Sequence, residues 1–358
     1  MKRSTAHVNA IGTAVPDQDV HQAFIDWAEL QLTDRRAKML FRRMASRAGI
    51  NHRWSALQPT PDGGSPVATG GFYGHGNPPP TSARMDLYAE AAPVLALKAI
   101  ADLSRTTAVD RITHLVVASC TGFVAPGIDQ IIAGKLGLSP NVERTLVGFM
   151  GCYAAVAALR LAHHIIRSEP AARVLVVTVE LSTLHLQFTH EIEPLLVMLQ
   201  FGDGAAAALV TADQAGFAIL SPFAASLADS ADLIRWTIGD SGFAMHLSGQ
   251  VPSRIAEALL PGELRSRMLG NLSPRDIDAW AVHAGGRSIL DAVEHGLGLS
   301  TDALHQSRDV LARFGNMSSS TIMFVLADLL ELPERRTGVA LAFGPGVAAE
   351  GFRFARAS

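Results

Sequence analysis

The chain has 358 residues, 48% of them apolar and 18% charged, which fits a well-buried globular protein and excludes a disordered one. Its net charge of −3 offers no general attraction to nucleic acid or to an anionic membrane, so any basic site must be local. Two cysteines cannot build a disulfide framework, and no C-x-x-C or paired-histidine spacing suggests a metal centre.

The opening segment, MKRSTAHVNAIGTAVP, holds two basic residues but no apolar core of the signal-peptide kind. The longer apolar stretches are interrupted by Arg160, His163 or Asp203, so none reads as a membrane span. The expectation is a cytoplasmic protein without membrane insertion. Residues 7–16 alternate and end at Pro16, as a first strand would. Helical periodicity covers 21–48 and ends in the basic run FRRMASRAGINHR. Residues 57–85 are dense in proline and glycine and read as a long loop. A helix follows at LYAEAAPVLALKAIADL. From there short β-branched runs alternate with helices: ITHLVVASC, ARVLVVTVE, AAAALVTA, DIDAWAVHA and GVALAFGPG. Alternation of this kind predicts an α/β protein with strands buried on both faces.

A spacing repeats within this pattern. DRITHLVVASCTG and PRDIDAWAVHAGG both end a strand in a small-residue turn, and 32 residues separate Cys120 from Cys152 as well as Ala284 from Asn316. Cys152 and Asn316 each follow a glycine and open an apolar helical run. The chain therefore reads as two divergent copies of one α/β unit, divided at 222/223, with the turns and helix starts of both halves converging on a central site.

Cys152 stands at a helix start, where unpaired N–H groups and the positive end of the macrodipole favour a thiolate. The repeat sets Asn316 at the equivalent position and His283 at a strand end of the second half. Histidine can take the thiol proton and hold the thiolate as an ion pair, with asparagine orienting or stabilising an oxyanion, so the three suit nucleophilic catalysis. A buried small hydrophobe is the plain alternative for the cysteine. A papain-like hydrolase uses the same chain order, but its local cysteine signature is absent. The G-x-[SC]-x-G elbow of α/β-hydrolases is absent too, since Gly151 directly precedes the cysteine.

RVLVVTVE, FGDGAAAAL, HAGG, FGNMSSSTIMFVL and AFGPG stand in the order and spacing of type III polyketide synthases, and the chain resembles these chalcone synthase-like enzymes from about residue 7 to residue 353. The resemblance implies the thiolase fold, two pseudo-repeated α/β halves in an αβαβα layering, and a homodimer. It also implies acyl-CoA and malonyl-CoA as substrates, with no tightly bound cofactor. On the matching positions, Cys152 would accept the starter acyl group, and His283 and Asn316 would bind the malonyl thioester carbonyl and promote decarboxylation. Negative charge then builds on the thioester oxygen, where two donors suffice because carbon dioxide leaves and no C–H proton is removed.

Thiolase itself is disfavoured because AFGPGVAAEG holds no second cysteine, and hydroxymethylglutaryl-CoA synthase because no glutamate base accompanies Cys152. A ketoacyl synthase of the initiating type, acting on carrier-bound malonyl groups, usually reads HQAN where this chain has HAGG. A non-catalytic acyl-CoA-binding relative is the remaining alternative.

The resemblance extends to the walls. Arg43 and Arg47 fall on coenzyme A-contacting positions, with Leu40 replacing a third basic residue and Lys38 two residues away. Gly285 and Gly286 belong to the same entrance. Phe201 matches one gatekeeper phenylalanine, and Met245 replaces the second. Trp236 stands where chalcone synthases have glycine, which is expected to close the pocket for bulky aromatic starters. Cys120, Thr121, His185, Ser318, Gly344, Pro345 and Gly346 complete the expected cavity lining. Ala125 replaces a methionine that reaches into the partner subunit. The pattern is most similar to bacterial alkylpyrone and alkylresorcinol synthases, which implies a fatty acyl starter and a pyrone or resorcinol product.

Overall fold

A computed structural model describes residues 4–357. Nine strands form one mixed sheet in the order Ala279–Val282, Thr337–Gly344, Ala348–Arg356, Phe217–Ser226, His7–Ala14, Asp203–Thr211, Val174–Leu181, His114–Ser119, Glu143–Gly148. Read outward from the middle, the two halves share their topology. In each, the first strand pairs antiparallel with the second, the second antiparallel with the third, and the third parallel with the fourth. The internal repeat expected from the 32-residue spacing is thus a repeat of strand order and direction. Within the sheet the halves meet where His7 pairs with Ala218 and Val8 with Phe217. The 222/223 division lies inside the strand Phe217–Ser226, while the turn linking the halves is at 212–216.

Alternation within the strands sorts side chains into layers. Val116, Ala118, Val174 and Val176 face a central core with Ala279, Ala281, Ala340 and Ala342 of the other half. That core encloses the helices Ala154–Ser168 and Ser320–Leu330, whose apolar residues are almost all buried. The opposite faces are covered by outer helices. Leu115, Val117, Leu175 and Val177 pack on Thr81–Leu103 and His21–Gln31. Trp280, Val282, Val339 and Leu341 pack on Val251–Ala258 and Arg287–Leu297. The result is the expected αβαβα layering.

The helical stretch expected over 21–48 is two helices, His21–Gln31 and Arg35–Ala45. Asp34 divides them, its carboxylate accepting the Ala37 N–H at 2.7 Å and so capping the second helix. No described helix is long and apolar enough to cross a membrane.

Candidate active site

Both buried helices begin at the same end of the sheet, after matching turns. Gly151 and Gly315 have φ of +76° and +69°, left-handed values that favour glycine, and each reverses the chain just before Cys152 or Asn316. Gly151 has a second constraint: a Cβ there would come within 2.5 Å of Pro345 Cδ. The AFGPG loop therefore closes directly over the nucleophile turn. Cys152 sits in a 3-10 turn, Gly151–Tyr153, that runs into the helix Ala154–Ser168.

Cys152, His283 and Asn316 line one cavity of about 700 Å³ of empty space, its open mouth included. All three are buried. Asn316 is fixed in orientation: its Oδ1 accepts the Ser318 N–H at 2.8 Å, and its Nδ2 donates to Gly285 O at 3.1 Å. One N–H of that amide remains for a ligand. Its backbone is tied to the gatekeeper segment, with Asn316 N–H donating to Gln200 O at 2.7 Å and Gly202 N–H to Asn316 O at 3.0 Å.

The expected ion pair between His283 and Cys152 is not formed, since neither ring nitrogen bonds the sulfur. Both His283 ring nitrogens are buried without a partner among the described residues, and burial drives the ring down to about 3, so it is a neutral imidazole. Burial likewise pushes the Cys152 thiol up to about 12, with Ser318 and Asn316 pulling the other way. The cause of the departure is the apolar cavity, which favours the uncharged form of both groups.

Ser318 Oγ donates to Cys152 Sγ at 3.8 Å and stands 3.1 Å from Cys120 Sγ. Glu180 anchors this wall and is wholly buried. It accepts from Cys120 N–H at 3.0 Å, Cys120 Sγ at 3.3 Å, Thr121 Oγ1 at 2.9 Å and the Ser319 hydroxyl. Burial raises its pKa, and these four donors oppose the rise. Sequence reasoning assigned Glu180 no role, although a lone carboxylate ending the apolar run VLVVTV was the available signal.

Gly344 and Pro345 line the cavity as expected, with Cys120, Thr121, Ser318, Phe201, Met245 and Trp236, and Gly285, expected at the entrance, lines it too. Gly346 does not: its left-handed turn points its carbonyl at Ser230 Oγ, 2.9 Å away. Gly286, expected at the coenzyme A entrance, precedes the helix Arg287–Leu297 and faces Gln200, which borders the outer cleft. His185 borders a second, adjoining cavity of about 790 Å³ of empty space, its open mouth included. Its Nε2–H donates to Thr121 O at 2.7 Å, its Nδ1 accepts the Phe243 N–H at 3.1 Å, and its ring stacks on Phe243 at 4.2 Å. Phe201, Trp236, Met245 and Ser182 border both cavities. Trp236 and Met245 face each other across a hairpin, and Trp236 Nε1 donates to Cys120 O at 2.9 Å. Ala125 is exposed and lines neither.

Arg43, Arg47, Leu40 and Arg287 share an outer cleft with Gln200, the neighbour of Phe201, whereas Lys38 does not line it. Away from these sites, His114, Glu143 and Glu169 bring ligand atoms within 4.8 Å of one another, with both glutamates exposed.

Residues 1–214 match the family described as chalcone and stilbene synthases, N-terminal domain, and 220–356 match its C-terminal domain. The α-pyrone synthesis polyketide synthase-like Pks18 of Mycobacterium tuberculosis is 38% identical over 76% of this chain and 72% of its own. Bisdemethoxycurcumin synthase of Oryza sativa subsp. japonica is 35% identical over 96% of this chain and 90% of its own. Among solved structures, PKS-I of the brown alga Ectocarpus siliculosus is 29% identical with a TM-score of 0.86 over 99% of both chains. The type III domain of Steely1 from Dictyostelium has a TM-score of 0.88 over 99% of this chain and 100% of its own, but at 22% identity it speaks for the fold alone. The chain belongs to the chalcone and stilbene synthase family, the type III polyketide synthases, which are acyltransferases that condense coenzyme A thioesters.

Proposed function

We propose that the chain joins a fatty acyl starter to malonyl-CoA on Cys152 and releases a cyclised pyrone or resorcinol. The observation that carries the catalytic reading is the meeting of Cys152 with His283 and Asn316 in one buried cavity, the two ring nitrogens of His283 without protein partners. Cys152 gives its proton to His283 and its sulfur attacks the starter carbonyl, and the departing coenzyme A sulfur takes a proton back. The malonyl thioester then loses carbon dioxide, and the electron pair of the broken C–C bond becomes an enolate. The N–H of the neutral imidazole and the free N–H of Asn316 stabilise its oxygen. The enolate carbon attacks the acyl-Cys152 carbonyl, expelling the sulfur.

Arg43 and Arg47, with Arg287 beside them, suit the phosphates of coenzyme A at the outer cleft. The fatty starter is supported by the Pks18 relative, whose name records α-pyrone synthesis, and by the apolar cavity beyond Phe201 and Met245. A homodimer is supported by the edge strand Glu143–Gly148, unpaired on its outer side among the described residues, with Leu146 exposed along it.

The test is product mass spectrometry with malonyl-CoA and a panel of acetyl, medium, long and aromatic CoA starters, with Cys152→Ala as control. Pyrones or resorcinols from fatty starters, absent in the control, are expected. Products from aromatic starters alone would overturn the fatty assignment and favour the chemistry named for the rice relative.

A further inference from the structure

One buried cation, Arg53, is tied to the backbone that carries Asn316, and the condensation chemistry above gives it no part. Among the described residues its guanidinium donates only to neutral acceptors. Nη1 donates to Met198 O at 3.0 Å and to Phe201 O at 2.7 Å, and Nε donates to His21 Nδ1 at 3.0 Å. Nη2 has no partner. Burial lowers the Arg53 pKa to about 9, with Asp19 and Asp203 opposing from a distance, so it stays charged at neutral pH. A charge buried without a bonded carboxylate is costly.

What that charge holds is a weak point of the site. Phe201 and Asn316 face each other in an isolated parallel bridge that belongs to no strand. Asn316 N–H to Gln200 O and Gly202 N–H to Asn316 O are its hydrogen bonds, and no longer ladder extends it to fix the register. The two carbonyls that Arg53 grips, Met198 O and Phe201 O, bracket the turn that presents Gln200 to Asn316. On its other side Arg53 abuts the turn before Asn316: a Cβ on Gly315 would come within 2.9 Å of Arg53 Cγ. The chain around Arg53 is itself pinned to the end of the helix His305–Phe314. Asn51 N–H donates to Ala312 O at 2.8 Å, and Trp54 Nε1 donates to Arg313 O at 3.0 Å. Arg53 therefore lies between the two backbones that the bridge joins.

Resting on the polyketide synthase reading above, we propose that Arg53 is a positioning residue for malonyl decarboxylation: by gripping Met198 O and Phe201 O it sets the backbone of Asn316, and with it the amide that meets the thioester oxygen. It touches neither substrate nor Cys152, so it acts through Asn316 and leaves the acyl-loading step alone. Lysine replaces the planar fork by a single point charge, which does not reproduce two carbonyl bonds and the His21 bond together. A displacement of about 1 Å from such a change is enough to slow a reaction by about a hundredfold.

The test compares Arg53→Lys with wild type in two assays, carbon dioxide release from malonyl-CoA and acyl loading of Cys152 read by intact-protein mass spectrometry. Arg53→Lys should lower kcat for decarboxylation about tenfold while KM for malonyl-CoA and the loading rate stay within about twofold of wild type. Arg53→Met, which lacks any donor, should lose more, so that lysine counts as a partial rescue. The same change is then made in the Asn316→Ala background, where the amide to be positioned is gone. There Arg53→Lys should slow decarboxylation by no more than about twofold further. Should Arg53→Lys fail to fold, His21→Ala is read in the same way: it leaves Arg53 in place and frees the Nε end of its fork. Decarboxylation and loading that fall by one common factor would overturn the proposal and make Arg53 a residue of the fold alone. So would a wild-type decarboxylation rate, or a full loss that persists without Asn316. Wild-type protein that neither loads an acyl group nor releases carbon dioxide would instead overturn the polyketide synthase reading itself.

Discussion

Ser318 donates its hydroxyl hydrogen to the Cys152 sulfur at 3.8 Å, and this bond opposes the burial that pushes the thiol up. Ser318→Ala removes the donor without changing the shape of the turn. A hydrogen bond of this kind is worth about 1 kcal/mol, so acyl loading of Cys152 should slow by about tenfold or less. Stopped-flow loading with an acyl-CoA measures it. A rate equal to wild type would mean that the Cys120 sulfur, also beside Ser318, holds the hydroxyl instead.

His283 should govern the ionisation of Cys152. Burial, to which the Glu180 charge adds, sets the thiol high, and the neutral imidazole lining the same cavity is a base that can accept its proton. In His283→Ala the sulfur loses that proton acceptor, so less thiolate exists at neutral pH. The pH profile of Cys152 alkylation by iodoacetamide should therefore move to higher pH than in wild type. Superimposable profiles would remove His283 from the ionisation step.

Asn316 contributes one N–H to the thioester oxygen and does not touch the starter carbonyl in the proposed sequence. Asn316→Ala should leave acyl loading measurable while slowing malonyl-CoA decarboxylation by about a hundredfold, the scale of one oxyanion donor. Carbon dioxide release followed beside acyl-enzyme formation separates the two steps. Normal decarboxylation would sink the assignment.

How much of this was legible in the sequence depended on what each residue needed. The repeat was legible because each half must turn its chain through a left-handed glycine, Gly151 or Gly315, before a buried helix, and spacing preserves that requirement. The convergence of Cys152, His283 and Asn316 followed from it. The protonation of the pair was not legible, since a helix start favours a thiolate only to the extent that burial does not oppose it. The second cavity was not legible either. Its walls are assembled from segments distant in the chain, and the loop over 57–80 carries no periodicity that marks Leu57 or Val67 as lining residues. Gly346 was misplaced by one residue's turn: it neighbours a lining residue, but its backbone points it away.

Glu180 holds its wall by accepting from four donors, which suits a carboxylate and no other side chain. In Glu180→Gln an amide N–H₂ faces donors that it cannot accept from. Leaving such groups unmatched in a buried site costs about 1–3 kcal/mol, so thermal unfolding should begin several degrees lower. An unchanged Tm would show that the carboxyl is already protonated and donating.

Trp236 is the partition between the two cavities, held by its Nε1 bond to Cys120 O and by edge contacts with His185 and Phe243 at 5.4 Å and 5.7 Å. Its ring stands at the throat where a bulky aromatic starter would have to turn. Trp236→Gly removes the partition and merges the cavities at their throat. Aromatic CoA starters should then be loaded at least tenfold better than by wild type, and the preference for long alkyl chains should weaken because the tail loses a guiding wall. Starter competition assays with product mass spectrometry read both changes at once. A gain for aromatic starters with the alkyl preference intact would mean that Trp236 only blocks. An unchanged profile for both would show that Phe201 and Met245 set selection without it.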